Sequence, residues 1–176
     1  MQDCHFYIYY LLMKTGTLIL ICGLPGAGKT TLAKRLETER NAIRFCPDDW
    51  IYAFLKNPKD IPEMDRLRDP VEQQLWKSAQ RLLQLGVTVV MENGFWPDWE
   101  RAHYRDKARE LGANVELHYC SAPHEELWKR IQKRNADPAD TSFELTETNL
   151  LKFEKKFNPP TASEGATFDV YVEYTV

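Results

Sequence analysis

The sequence predicts an α/β domain with a doubly wound, mostly parallel sheet and helices on both of its faces. Three observations carry this fold class. Continuous apolar runs of four to six residues, rich in β-branched side chains, read as strands buried on both faces. Amphipathic helical stretches alternate with them, which implies crossover connections and a parallel sheet. The chain has 176 residues, enough for one ordinary domain, and shows neither an internal repeat nor a low-complexity linker.

The elements follow in order. An apolar run, Phe6 to Met13, precedes Lys14-Thr15-Gly16 and a second run that ends at Cys22. Met13-Lys14 before a short turn and a buried strand is itself a plausible domain start. Residues 1–12 therefore read either as an extension from an upstream start codon or as an ordinary edge segment, with the single domain over 13–176. Thr17 to Cys22 and Val87 to Met91 are the best strands, followed by Ala42 to Cys46, Val115 to Cys120 and Asp169 to Tyr174. Helices are expected over Lys29 to Arg40, Trp50 to Leu55, Val71 to Leu85, Trp99 to Leu111, His124 to Arg134 and Leu145 to Phe157. Gly86 and Gly112 stand where a left-handed residue closes a helix. Polar, turn-rich breaks fall at 57–62 and 135–140.

Composition removes several function classes. Lys plus Arg number 23 against 26 Asp plus Glu, a net charge of −3, and the pI is about 5.8. That balance argues against a nucleic-acid backbone or an anionic membrane as the partner. Neither N-terminal apolar run reaches the roughly 20 residues of a bilayer span, and Met1 to His5 lacks the basic stretch of a signal peptide. Cys4, Cys22, Cys46 and Cys120 form no Cys-x-x-Cys pair and read as free thiols of a reducing compartment. A cytoplasmic location is expected.

The chemistry is concentrated after the first strand. Gly23-Leu24-Pro25-Gly26-Ala27-Gly28-Lys29-Thr30-Thr31 matches G-x-x-x-x-G-K-[ST], with a strand before it and a helix after it. Glycines permit positive φ and close approach of the backbone to a polyphosphate, while successive amides and the helix N-terminus supply donors. Lys29 is expected along the β- and γ-phosphates of a nucleoside triphosphate, and the Thr30 hydroxyl on Mg²⁺. The guanine-reading Asn-Lys-x-Asp and the Asp-x-x-Gly switch of regulatory GTPases are missing from the sequence, which leaves a compact kinase using ATP.

Two further groups belong at the carboxyl ends of strands, where an open α/β sheet binds its ligands, and a third lies on a helix. In Pro47-Asp48-Asp49-Trp50, one carboxylate can accept the proton of an attacking hydroxyl, and an Asp can also cap the helix that follows. Glu92, at the end of the third strand, is placed for the magnesium shell through water, or else caps its loop. Arg130 and Arg134 lie four apart on one helical face before a polar loop; they can fold over phosphates or form a solvated basic face beside Glu126. Trp50, Tyr52, Phe54, Phe95, Trp96, Trp99 and Tyr104 divide between an acceptor pocket and core packing. His103, His118 and His124 have no metal-ligand spacing.

The glycine loop, Pro47-Asp48-Asp49-Trp50, and Ala122-Pro123 with Arg130 and Arg134 together resemble the small P-loop kinases. The nearest group contains phage-type polynucleotide kinase domains, zeta toxins and chloramphenicol phosphotransferases. The resemblance covers Leu18 to about Asn135 and, more loosely, the tail. It implies a five-stranded sheet of order 2-3-1-4-5, Asp48 as general base with Asp49 as the alternative, and Arg130 and Arg134 in a mobile lid around 130–142. Polynucleotide kinases carry an Arg three residues after the first Asp, where Ile51 stands in this sequence. Phe157-Asn158-Pro159-Pro160 with Glu164 looks like a loop near the adenine in such kinases.

The leading expectation is transfer of the γ-phosphate of ATP to a hydroxyl of a small molecule. Two kinase alternatives are a polynucleotide 5′-hydroxyl kinase and a zeta-toxin-like kinase of a sugar nucleotide. A third, of another class, is a nucleotide-binding switch without transferase activity.

Overall fold

In the computed structural model, which describes residues 15–55, 61–137 and 143–175, the strands are Thr17–Cys22 (β1), Ile43–Phe45 (β2), Thr88–Gly94 (β3), Asn114–Ser121 (β4) and Val170–Thr175 (β5). They form one sheet of order β2-β3-β1-β4-β5, and every pairing is parallel. The expected order is found, and the sheet is parallel throughout. The extension at 1–12, residues 57–60 of the first polar break and residues 138–142 of the expected lid lie outside the described residues.

Seven helices are described: Lys29–Glu39 (α1), Pro47–Phe54 (α2), Ile61–Gln84 (α3), Asp98–Glu110 (α4), His124–Asn135 (α5), Glu147–Glu154 (α6) and Ala162–Gly165 (α7). Alternation along the strands divides the core in two. Leu18, Leu20, Val89 and Met91 face α3 and α4 and pack with Leu75, Ala79, Leu83, Tyr104 and Ala108. Ile19, Ile21 and Val90 face the other way and pack with Leu32, Ala33 and Leu36 of α1 and Leu127 and Ile131 of α5. Gly86 and Gly112 are left-handed, at φ 74° and 76°, and close α3 and α4 as expected.

Four boundaries differ from the sequence reading. α3 begins at Ile61 and runs through Pro70, whereas the sequence places its start after that proline. Pro70 costs one i→i−4 hydrogen bond, but it lies on the exposed face, where the freed carbonyl can be solvated. β3 continues to Gly94, so Glu92 stands within a strand rather than after one. α2 begins at Pro47 with Cys46 as its N-cap, so neither aspartate caps it and both occupy its first turn. α6 is shorter than expected, because Thr146 and Asn149 form a capping box that starts it at Glu147.

The C-terminal half is tied to the sheet through a buried charge. Arg101 has no exposed surface, and its guanidinium donates to both oxygens of Glu164 at 2.6 and 2.7 Å and to the carbonyls of Phe95 and Trp96. Cys22, Cys46 and Cys120 are free and buried. Burial pushes their thiols up, to about 12, 12 and 11, so they stay protonated at neutral pH.

Candidate active site

The loop between β1 and α1 is anchored at its entry, where the Gly23 amide donates to the Gly94 carbonyl at 3.0 Å and the Trp96 indole donates to the Gly23 carbonyl at 3.2 Å. At its exit, Gly28 caps α1 in the left-handed region, at φ 91°. A Cβ on Gly28 would meet nothing within 4 Å, so the space above the helix N-terminus is open to an anion. At Gly26 the opposite holds: a Cβ would come 2.8 Å from the Leu127 carbonyl oxygen. The missing side chain there lets α5 close on the loop.

Lys29 donates to the Leu24 carbonyl at 2.9 Å, which folds its ammonium back over the loop. Burial lowers its pKa, and the carboxylates of Glu92 and Asp48 oppose that. Both acids therefore lie within electrostatic reach of one lysine. The Thr30 hydroxyl donates to Glu92, which is 7% exposed. The other Glu92 oxygen accepts from Arg44 at 2.8 Å. A hydroxyl and a carboxylate side by side beneath a helix N-terminus are a donor set that fits a hard divalent cation already carried by phosphates.

The two aspartates part company. Asp48 accepts from Arg68 of α3 at 3.1 Å, and Arg68 also lies 3.5 Å from Glu72. Asp49 is turned to Arg44 at 2.5 Å, on the Glu92 side. Of the two, Asp48 is the one that acts electrostatically on Lys29 of the glycine loop.

Arg130 and Arg134, both expected in the lid, also separate. Arg130 donates to Glu126 at 2.7 Å, and its Nη1 lies 3.5 Å from the Gly26 carbonyl oxygen, so it borders the loop while paired on its own helix. Arg134 donates to the Phe143 carbonyl at 3.0 Å, and its Nε is buried without a partner among the described residues. The Phe143 ring stacks on Tyr52 of α2, with centroids 4.4 Å apart. Arg134 thus ties Phe143 to the helix that carries Asp48.

Sequence reasoning missed Arg44, Arg68 and Glu72. The two arginines stand alone in their segments, with no motif around them, and their importance arises only where β2 and α3 meet the aspartates. The stretch from Phe157 to Glu164 lies against α4: Asn158 donates its amide to the Trp96 carbonyl, and Glu164 is engaged by Arg101.

The profile of the family described as AAA domain matches residues 18–160, most of the chain, including the glycine loop, Asp48, Glu92, Arg130 and Arg134. The chain belongs to the AAA domain family. Among curated proteins it is 28% identical over 160 residues to a cytidylate kinase of Ignicoccus hospitalis, with 84% of each chain covered. Among solved structures it is similar to a kinase candidate from Chloroflexus aurantiacus, at 21% identity and a TM-score of 0.72, covering 93% of this chain and 86% of that one. A gluconokinase from Sinorhizobium meliloti aligns at 14% identity and a TM-score of 0.60, covering 93% and 83%. This AAA domain chain therefore has the P-loop kinase fold, as its motifs imply. No helix among its described residues is long and apolar enough to cross a membrane.

Proposed function

We propose that this chain transfers the γ-phosphoryl group of ATP to a hydroxyl of a small molecule. The observation that carries the reading is the glycine loop: Lys29 is folded over it, Thr30 donates to Glu92 beside it, and left-handed Gly28 leaves the helix N-terminus open. The kinase names of the relatives agree with it.

Asp48 takes the proton of the acceptor hydroxyl and orients its oxygen. A bond forms between that oxygen and the γ-phosphorus as the β,γ-bridging bond breaks, and ADP leaves with the electron pair. Arg68 holds Asp48 in place. Lys29 and the loop amides bind the phosphates, and Arg130 reaches them from α5 as the lid contact, with Arg134 bracing the lid behind it. Thr30 and Glu92 would hold Mg²⁺, Glu92 through water, and the ion when bound offsets the charge gathering on the phosphate oxygens. Among the described residues no group of three or more His, Cys, Asp and Glu side chains is set to hold a metal.

The test is incubation of the purified protein with labelled ATP, Mg²⁺ and a panel of nucleosides, sugars, amino alcohols, antibiotics and oligonucleotides. Labelled small-molecule product is expected. Label confined to oligonucleotide ends, or tight nucleotide binding with no acceptor labelled in a broad cell extract, would overturn it.

A further inference from the structure

Arg44 is an unusual residue for its place. It lies in β2, an edge strand of three residues, yet its side chain is only 12% exposed, and arginine is buried to that degree only when it is paired. Its partners come from three different elements. Nη1 donates to Glu92 of β3 at 2.8 Å, Nη2 donates to Asp49 of α2 at 2.5 Å, and Nε lies 3.7 Å from Glu37 of α1. The backbone amide of Arg44 also donates to Glu37, at 3.3 Å.

One guanidinium thus stands against the carboxylates of Glu37, Asp49 and Glu92. With Arg44 among them, the three are not set to hold a metal. Glu37 and Asp49 reach solvent, which screens them, whereas the Glu92 side chain is buried. The bond from Arg44 therefore matters most at Glu92, because a buried carboxylate stripped of its cation is strongly destabilising. The Thr30 hydroxyl covers the second Glu92 oxygen but brings no charge. Lys29 donates instead to the Leu24 carbonyl, so Arg44 is the cation hydrogen-bonded to Glu92.

A guanidinium keeps its charge at every pH a folded protein meets. Arg44 is therefore a fixed positive charge touching the carboxylate expected to face Mg²⁺. It balances Glu92 when no other cation is near and repels a bare divalent ion. A nucleotide changes that sum, because its phosphate oxygens bring the negative charge and the ligands that carry such an ion into a protein site. We propose that Arg44 is the built-in counter-ion of Glu92, a positioning residue that makes divalent-cation binding conditional on nucleotide. This deepens the reading of Thr30 and Glu92 as the metal side of a phosphotransferase and rests on it.

The test uses the full chain and Mn²⁺ as the probe, a divalent ion that favours the same oxygen ligands and is counted directly by its paramagnetic resonance. Without nucleotide the parent is expected to show no saturable Mn²⁺ binding below about 1 mM. With ADP it should bind Mn²⁺ roughly tenfold or more tightly. Arg44→Met keeps the apolar stem and removes the charge. It should raise nucleotide-free Mn²⁺ affinity about tenfold, and Mn²⁺ alone should restore the melting temperature that this variant loses. Arg44→Lys keeps the charge and should bind nucleotide-free Mn²⁺ as the parent does. An Arg44→Met, Glu92→Gln double variant has no stranded carboxylate, so it should melt above Arg44→Met and gain no Mn²⁺.

A parent that binds Mn²⁺ equally well with and without ADP overturns the proposal, and this measurement needs no substitution. An Arg44→Met variant that binds Mn²⁺ no better than the parent, or whose lost stability Mn²⁺ does not return, overturns it too. Turnover of labelled ATP by the parent is scored separately. Mn²⁺ binding governed by Arg44 with no acceptor labelled keeps the counter-ion and removes the phosphotransferase; label transferred while Mn²⁺ binding ignores Arg44 keeps the phosphotransferase and removes the counter-ion.

Discussion

The Asp48 carboxylate meets the Arg68 guanidinium at 3.1 Å, so the candidate base is steered by a side chain of another helix, while its neighbour Asp49 is held by Arg44 on the opposite side. Asp48→Asn keeps the shape of the side chain but cannot take a proton. It is expected to lower kcat by about 10²- to 10⁴-fold with little change in ATP affinity. Arg68→Ala should lower kcat less, and Arg68→Lys should recover part of the loss. Steady-state kinetics beside nucleotide calorimetry reads all three.

Lys29→Ala removes an ammonium that the structure holds over the glycine loop, so both nucleotide affinity and kcat should fall. Asp49→Asn leaves the acceptor side intact and should keep kcat within a few-fold of the parent. If Asp49→Asn proves as damaging as Asp48→Asn is expected to be, the base belongs to Asp49.

Arg101→Ala should be the most destabilising single substitution among the charged residues discussed. It strips a wholly buried guanidinium from Glu164 and two backbone carbonyls, and breaking such a pair costs about 3–5 kcal/mol. A loss of this size is expected in chemical denaturation. A midpoint within error of the parent would show that the pair carries no net stability.

Two glutamates give stability opposite pH dependences. Glu100 has its folded pKa raised to about 7 by burial and Glu72. The folded state therefore holds its proton more tightly, and stability falls as pH rises from the ordinary carboxylate range to 7. Glu116 is held down to about 2 by a hydrogen bond from His118, against burial and with help from Arg40. Its contribution is present above the ordinary carboxylate range and is lost as pH falls toward 2. Melting curves over pH 2–8 should show Glu100→Gln flattening the upper window and Glu116→Gln the lower, each by on the order of 1–2 kcal/mol after allowance for partial exposure.

What the sequence revealed is local. The glycine loop, β1 and the left-handed Gly86 and Gly112 follow from short runs in which neighbours in sequence share one physical task, whereas the Thr30–Glu92 hydrogen bond joins residues 62 apart. Arg68 and Arg101 were illegible for the converse reason. Each sits on an amphipathic helix where an arginine ordinarily means solvent, and only the approach of α2 to α3, or of Glu164 to α4, gives it a partner. Pro70 misled because a proline usually opens a helix, and only its exposed position shows that the missing hydrogen bond is tolerable.

The stack of Tyr52 on Phe143 has a consequence for how the two substrates sense each other. Tyr52 belongs to the helix bearing Asp48, and Phe143 is grasped through its carbonyl by Arg134, at the end of the helix whose Arg130 borders the glycine loop. On the proposed reading, nucleotide and acceptor bear on opposite ends of one aromatic contact. Any free energy that one ligand lends to that contact is returned to the other in equal measure, so the factor by which nucleotide tightens acceptor binding equals the factor by which acceptor tightens nucleotide binding. Tyr52→Ala is expected to bring that shared factor toward one, read from nucleotide affinity with and without acceptor.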